Sequence, residues 1–179
     1  IPSGVDLVQH YSREAFNRRV LQETWVPLWN PYVFSGFPVQ ADPQAGVFYP
    51  PSMFLRLFSM PIFLTWSAAF HVWLFGVGGY VLCRTIGVGR PAASLGAIGL
   101  LLGGIVMPRV YAGHLDVLRT VSWLPLVLAA AMKSFDRNRV LPTVALVVTL
   151  SLEVLAGFLQ IAVYTFVAVG LYAAFSAGW

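Results

Sequence analysis

Asp6, His10, Asp42, His114, Asp116 and Glu153 are the side chains here whose chemistry could move a proton or hold a charged ligand. A positioned carboxylate serves as a general base, and an imidazole changes charge close to neutral pH. Each also has a structural explanation. Asp42 stands in Ala41-Asp42-Pro43-Gln44, where aspartate followed by proline reads as a helix N-cap. Asp6 precedes an amphipathic stretch and has the same reading. Glu153 lies within an apolar run, where an ionisable group is costly and marks function by default; the alternative is a carboxyl hydrogen-bonded between helices. His71, in the middle of FHVWLF, reads as a buried hydrogen-bonded histidine. His114, in YAGHLD, is either solvated or a donor to a phosphate.

The stretch that must position several of these groups is Pro27–Pro51, PLWNPYVFSGFPVQADPQAGVFYPP. It has too many prolines for a continuous helix or strand and too many aromatic rings for a disordered linker. It reads as a stiff, irregular binding loop carrying Asp42. Before it, Leu7 to Trp25 reads as an amphipathic helix. Leu7, Val8, Tyr11, Ala15, Phe16 and Val20 recur at helical spacing, and Arg13, Glu14, Arg18 and Arg19 fall largely elsewhere. It is too charged to span a bilayer and suited to lie on one. A second short helix is expected after Pro51, with Met53, Phe54, Leu57 and Phe58 as its apolar side. Arg13, Arg18, Arg19 and Arg56 read as anchors to lipid headgroups, and Trp25, Trp29, Trp66 and Trp123 as an interfacial aromatic belt.

Five apolar segments follow: Ile62–Cys83, Pro91–Met107, Val117–Met132, Val140–Gly157 and Leu159–Ala177. Each approaches the ~20 residues that carry a helix across the hydrocarbon core; the third is short and kinked by Pro125. The fold class is therefore an all-α integral membrane protein. Residues 1–61 form a large N-terminal loop with membrane-lying helices, and residues 62–179 form about five transmembrane helices. Composition agrees: of 179 residues 58% are hydrophobic and 10% charged, against about 25% charged in soluble domains. The net charge of +4 is spread along the chain, with no stripe for nucleic acid. The single cysteine, Cys83, excludes an internal disulfide, and no phosphate loop or HExxH motif occurs. Arginines in Arg84–Arg90 and basic residues in Lys133–Arg139 make those loops cytoplasmic by the positive-inside rule. Residues 1–61, the Pro108–Asp116 loop and the turn near Gln160 then share the outer face of the membrane. Small-residue patterns at Gly76, Gly78, Gly79, Gly96, Gly99, Gly103 and Gly104 suit close helix packing. A start at Ile1 and an end just after an apolar run read as a fragment that lacks a preceding span.

PLWNPYVFSGFPVQADPQAGVFYPPSMF resembles the first outer loop of the YfhO-type bacterial membrane proteins, members of the GT-C class of polyprenyl-phosphate-sugar glycosyltransferases. The likeness continues through FHVWLFGVGGYVLCRTIGVGRPAASLGAIG, SWLPLVLAA and LAGFLQIAVYTFVAVGLYAAF. The sequence departs from that pattern at Phe158 and Leu159, where a His-Pro pair would precede Gln160, and at Glu153, where an uncharged polar residue would stand. The resemblance implies a GT-C-like helical bundle whose large outer loop carries an essential acid soon after the first span, where Asp6 lies. It also implies a sugar donor on polyprenyl phosphate and an acceptor that is a cell-envelope glycan, teichoic acid or lipid.

Such a transfer needs a base for the acceptor hydroxyl, cationic or hydrogen-bonding groups for the departing phosphate, and a groove for the lipid. Asp6 is the expected base, with Asp42 positioning the acceptor or joining Asp6 on a divalent cation, magnesium or manganese. Arg109 and His114 are the phosphate candidates, with His10 and Glu153 further substrate-binding candidates; Tyr111 and Gln160 would contact the sugar. Two other classes stay open: a transporter or flippase of a lipid-linked glycan using Glu153 and His71 inside the bundle, and a scaffold subunit whose loop binds a partner.

Overall fold

The computed structural model describes residues 5–24, 26–137 and 140–177. Trp25 of the expected aromatic belt and Arg139 of the second basic loop lie outside the described residues. Among the described residues the fold is all-α apart from one minimal hairpin. Helix α1 (Val5–Glu23) leads into the aromatic loop, where strands β1 (Trp29–Asn30) and β2 (Phe37–Pro38) pair antiparallel, Trp29 opposite Pro38 and Asn30 opposite Phe37. The turn between them demands glycine at position 36: φ is +116°, and a Cβ there would stand 2.4 Å from the Trp29 ring. Phe34 and Ser35 just before it also hold positive φ, 51° and 59°, a left-handed backbone that costs a non-glycine residue energy. Two 3₁₀ turns, Val39–Ala41 and Pro43–Ala45, follow. Helix α2 (Pro50–Leu55) starts on Pro50, where a missing N–H leaves no bond unmade.

Helix α3 (Met60–Thr85) has 26 residues, about 39 Å at 1.5 Å per residue, and crosses a bilayer with length to spare. Helices α4 (Arg90–Leu102) and α5 (Met107–Ala112) form one span interrupted at Gly103–Val106. Helices α6 (Leu115–Val121) and α7 (Leu124–Arg137) form another, broken at Ser122 and Trp123 just ahead of Pro125. Helix α8 (Val140–Ala156) and helix α9 (Leu159–Ala177) complete the bundle. Four spans among the described residues are long and apolar enough to cross a membrane: Met60–Thr85, Arg90–Ala112, Leu115–Phe135 and Leu159–Ala177. The fifth expected segment is the shorter apolar helix α8. Helix α8 is apolar but has only 17 residues. The third segment, expected to be short, reaches 21 residues because α6 continues it across the Trp123 break.

Helix α3 is the spine. Its glycines admit neighbours on two sides: a Cβ at Gly79 would meet Leu100 of α4 at 2.6 Å, and one at Gly78 would meet Leu126 of α7 at 3.2 Å. One core gathers Tyr49, Leu74, Trp123, Val127 and Ala131, and another gathers Phe63, Phe75, Val106, Leu115 and Leu118. Tyr49 belongs to the aromatic loop, so the loop reaches into the bundle.

The loop docks where α5 turns into α6 and α8 into α9. Gly157 (φ +110°) lies so close to the Pro43 carbonyl that a Cβ would stand 2.4 Å from its oxygen. Gly113 (φ +81°) adjoins Leu7 of α1, and the Phe158 N–H donates to Thr120 Oγ1 at 3.0 Å. Residues of α1, the aromatic loop, the α5–α6 turn and the α8–α9 turn thus share one end of the bundle.

Candidate functional site

Helix α1 docks only part of its apolar side: Leu7 and Phe16 pack against buried clusters. Val8 and Tyr11 are exposed, whereas His10, Glu14 and Asn17 are buried. Asp6, His10, Arg13 and Asn17 follow one another at three- and four-residue steps and so share one face, and that polar face is the docked one. Charged partners far along the chain meet this polar face, which leaves Val8 and Tyr11 on the outer side of the helix.

At its first turn the Asp6 carboxylate contacts His114 Nε2. His114 Nδ1 lies 2.9 Å from Arg109 Nη1. A guanidinium can only donate, so Nδ1 accepts and Nε2 carries the proton donated to Asp6. Guanidinium, imidazole and carboxylate form a chain at the bundle end. It is open: the side chains of Asp6 and His114 are 45% and 28% exposed. Asp6 Oδ2 is the engaged oxygen, and Oδ1 has no hydrogen-bond partner among the described residues.

One turn on, His10 Nε2 sits 3.4 Å from Asp116 Oδ1, and both side chains are buried. That pair ties α1 to α6. Two turns on from Asp6, Arg13 pairs with Asp42 at 3.1 Å and also donates to Gln44 Oε1 at 3.2 Å. The other Asp42 oxygen accepts from the Gln44 N–H at 3.1 Å, so Asp42 is a cap for the second 3₁₀ turn. Asp6 and Asp42 therefore meet different partners about 10 Å apart along α1. A cation held jointly by the two does not fit this arrangement, and among the described residues no three His, Cys, Asp or Glu side chains converge as a metal site. Arg13 and Asp42 instead border a cleft of about 720 Å³ between α1 and the aromatic loop, walled by Phe16, Tyr32, Phe34 and Phe37.

Glu14, Arg56 and Arg119 went unnoticed as structural groups in the sequence. Glu14 accepts from Arg56 Nε at 2.8 Å and from Arg18 Nε at 3.2 Å. Arg56 also donates to the carbonyls of Val47 (2.6 Å) and Gly46 (3.3 Å). It braces the loop from inside and is not a headgroup anchor. Buried Arg119 donates to Ser67 Oγ at 3.1 Å, and it and Arg18 stack on the Phe63 ring at 5.4 and 5.1 Å. The signal for Arg119 was present: a charge inside an apolar segment, the argument already applied to Glu153.

Below lies a buried chain. Trp123 Nε1 donates to Tyr49 Oη (2.8 Å), Tyr49 donates to His71 Nε2 (2.6 Å), and His71 Nδ1 donates to the Ser67 carbonyl (2.5 Å). His71 is the buried hydrogen-bonded histidine that was expected. Trp123 is a core residue and not part of an interfacial belt. Burial raises the Tyr49 phenol above its ordinary 10.0.

Among the described residues no hydrogen bond or ion pair joins the remaining candidates to Asp6. Glu153 is fully buried between α8 and α9, where one oxygen accepts from Thr165 Oγ1 at 2.7 Å and the other has no partner among the described residues. Gln160 is exposed and bonds to Tyr164 of its own helix at 2.8 Å. Tyr111 is exposed on α5. The arrangement thus assembles Asp6, His114 and Arg109, holds His10 and Asp42 in structural pairs nearby, and leaves Glu153, Tyr111 and Gln160 outside. Compared with known proteins, the chain matches no family model, no curated protein and no solved structure.

Proposed function

We propose that this chain is the catalytic part of a membrane glycosyltransferase. It transfers a sugar from a polyprenyl-phosphate donor to a cell-envelope glycan, teichoic acid or lipid on the extracytoplasmic face of a bacterial inner membrane. The observation that carries this reading is the open Asp6–His114–Arg109 chain at the end of an apolar helical bundle. Asp6 Oδ1 takes the proton of the acceptor hydroxyl as that oxygen bonds to the anomeric carbon. The bond from that carbon to the phosphate oxygen breaks, and the lipid phosphate leaves with the electron pair. Arg109, exposed beside His114, supplies positive charge to the departing phosphate. His114 holds the carboxylate's other oxygen and leaves Oδ1 free.

The test is consumption of a lipid-linked sugar by the full-length protein in liposomes. Asp6→Asn is expected to lower the rate about 10²-fold or more, the ordinary worth of a general base, and Asp42→Asn to act mainly on stability. Wild-type turnover in Asp6→Asn sinks the assignment. A second reading, a flippase of a lipid-linked glycan, draws on the half-satisfied carboxyl of Glu153 inside the bundle. Movement of labelled lipid between leaflets without any sugar transfer, lost in Glu153→Gln, would favour it.

A further inference from the structure

We propose that the cleft between α1 and the aromatic loop binds a neutral saccharide and so docks the acceptor glycan. The role as acceptor rests on the glycosyltransferase reading; the binding itself does not. Three features identify the occupant's chemistry.

The cleft is about 720 Å³, within the range of small-ligand sites, and its walls are aromatic. Phe16 and Tyr32 meet edge to face with centroids 6.3 Å apart, and Phe34 and Phe37 do likewise at 6.2 Å. In each edge-to-face pair the ring that offers its edge keeps its own faces free of that contact, and the flat C–H face of a pyranose stacks on such a surface. Charge at the border is cancelled, since Arg13 and Asp42 neutralise each other at 3.1 Å. A multiply charged ligand would therefore have only Arg19, on the exposed rim, to meet it.

The third feature is Asn17. It lines the cleft, is only 1% exposed, and its amide nitrogen has no hydrogen-bond partner among the described residues. A buried donor without an acceptor is destabilising, and a ligand hydroxyl oxygen would complete it. An isoprenoid or acyl chain offers no acceptor, so Asn17 selects a polyhydroxylated ligand over a lipid tail. Asp6 lies about 10 Å along α1 from Arg13, a separation that two or three linked sugar units can bridge.

The experiment uses the full chain in a detergent without a sugar headgroup, dodecyldimethylamine oxide. The variant Val33→Cys, at the cleft wall, is made in a Cys83→Ala background, and its labelling rate by a maleimide is followed. The probes are methyl glycosides of glucose, galactose, mannose and N-acetylglucosamine, and the corresponding disaccharides. At least one is expected to slow labelling several-fold at tens of millimolar, and Asn17→Ala to abolish that protection. The sugar-free labelling rate serves as the folding control. If no saccharide protects, if Asn17→Ala is protected equally, or if decyl phosphate protects in place of the sugars, the assignment is overturned. Protection in a wild-type chain that consumes no lipid-linked sugar would remove only the acceptor role. Lost protection with Asp6-dependent turnover intact would remove only the cleft.

Discussion

Glu14 shows what burial does to the meaning of a charge. In the sequence it sits among arginines on a helix read as lying on lipid; in the structure it is the shared acceptor for Arg18 and Arg56. Removing one partner of a buried ion pair leaves the other uncompensated, which costs about 3–5 kcal/mol. Glu14→Ala is therefore expected to lower thermal stability sharply, whereas Arg19→Ala, at an exposed position, should leave it nearly unchanged. Equal melting temperatures for the two variants would refute the bracing role. Tyr49 carries a different prediction. Its phenol bridges Trp123 and His71, so Tyr49→Phe strands two buried polar groups at about 1–3 kcal/mol each. Burial raises its folded-state pKa above the ordinary 10.0, so the unfolded chain ionises first as pH climbs. The stability carried by the neutral phenol is complete below that ordinary value and declines above it. Unfolding measured from about pH 9 to 11 should thus show a fall in the wild type that is shallower in Tyr49→Phe. Parallel curves would rule that contribution out.

Helix α1 marks the boundary between what periodicity can and cannot reveal. Its existence was legible from spacing, and so were the apolar segments, because length and hydropathy are local properties. The docked face was not. Hydrophobic spacing points to the side with Val8 and Tyr11, but the partners that decide the matter are His114, Asp116, Asp42 and Arg56, and no local pattern links them to α1. The same limit applies to the candidate site. Asp6 and His114 both stood out by residue type, but their pairing depends on how the α5–α6 turn meets α1. Asp42 was legible as a cap because the Asp-Pro signal is local, and it caps. Gly113 holds the turn in place: at φ +81° with Leu7 atoms 3.0 Å from a built Cβ, an alanine would push α1 off the turn. Gly113→Ala is accordingly expected to depress lipid-linked sugar consumption nearly as far as Asp6→Asn while leaving the apolar spans folded, as judged by circular dichroism. Unchanged turnover in Gly113→Ala would mean that the Asp6–His114 contact does not matter to the rate.

The spans are joined so that the ion pairs of α1 with Asp42, Asp116 and His114 collect at one end of the bundle, and that arrangement has a direct consequence in a membrane. Gly157 against Pro43, Gly113 against Leu7 and the Phe158–Thr120 hydrogen bond require the aromatic loop, the α5–α6 turn and the α8–α9 turn to face the same compartment. The Arg84–Arg90 connection and the start of α8 lie at the opposite end of α3 and α7, the end that the arginine bias assigns to the cytoplasm. Single cysteines in a Cys83→Ala background read this out in cells expressing the full-length chain. Ser35→Cys, Tyr111→Cys and Gln160→Cys, all at exposed positions, should react with a membrane-impermeant maleimide in intact cells. Ile86→Cys and Leu141→Cys, also exposed, should react only after permeabilisation. A split within the first group would contradict the shared end and with it any joint action of Asp6 and the loop. A complete reversal of the two groups would keep the packing but move the proposed transfer to the cytoplasmic face, where an extracytoplasmic acceptor could not reach Asp6.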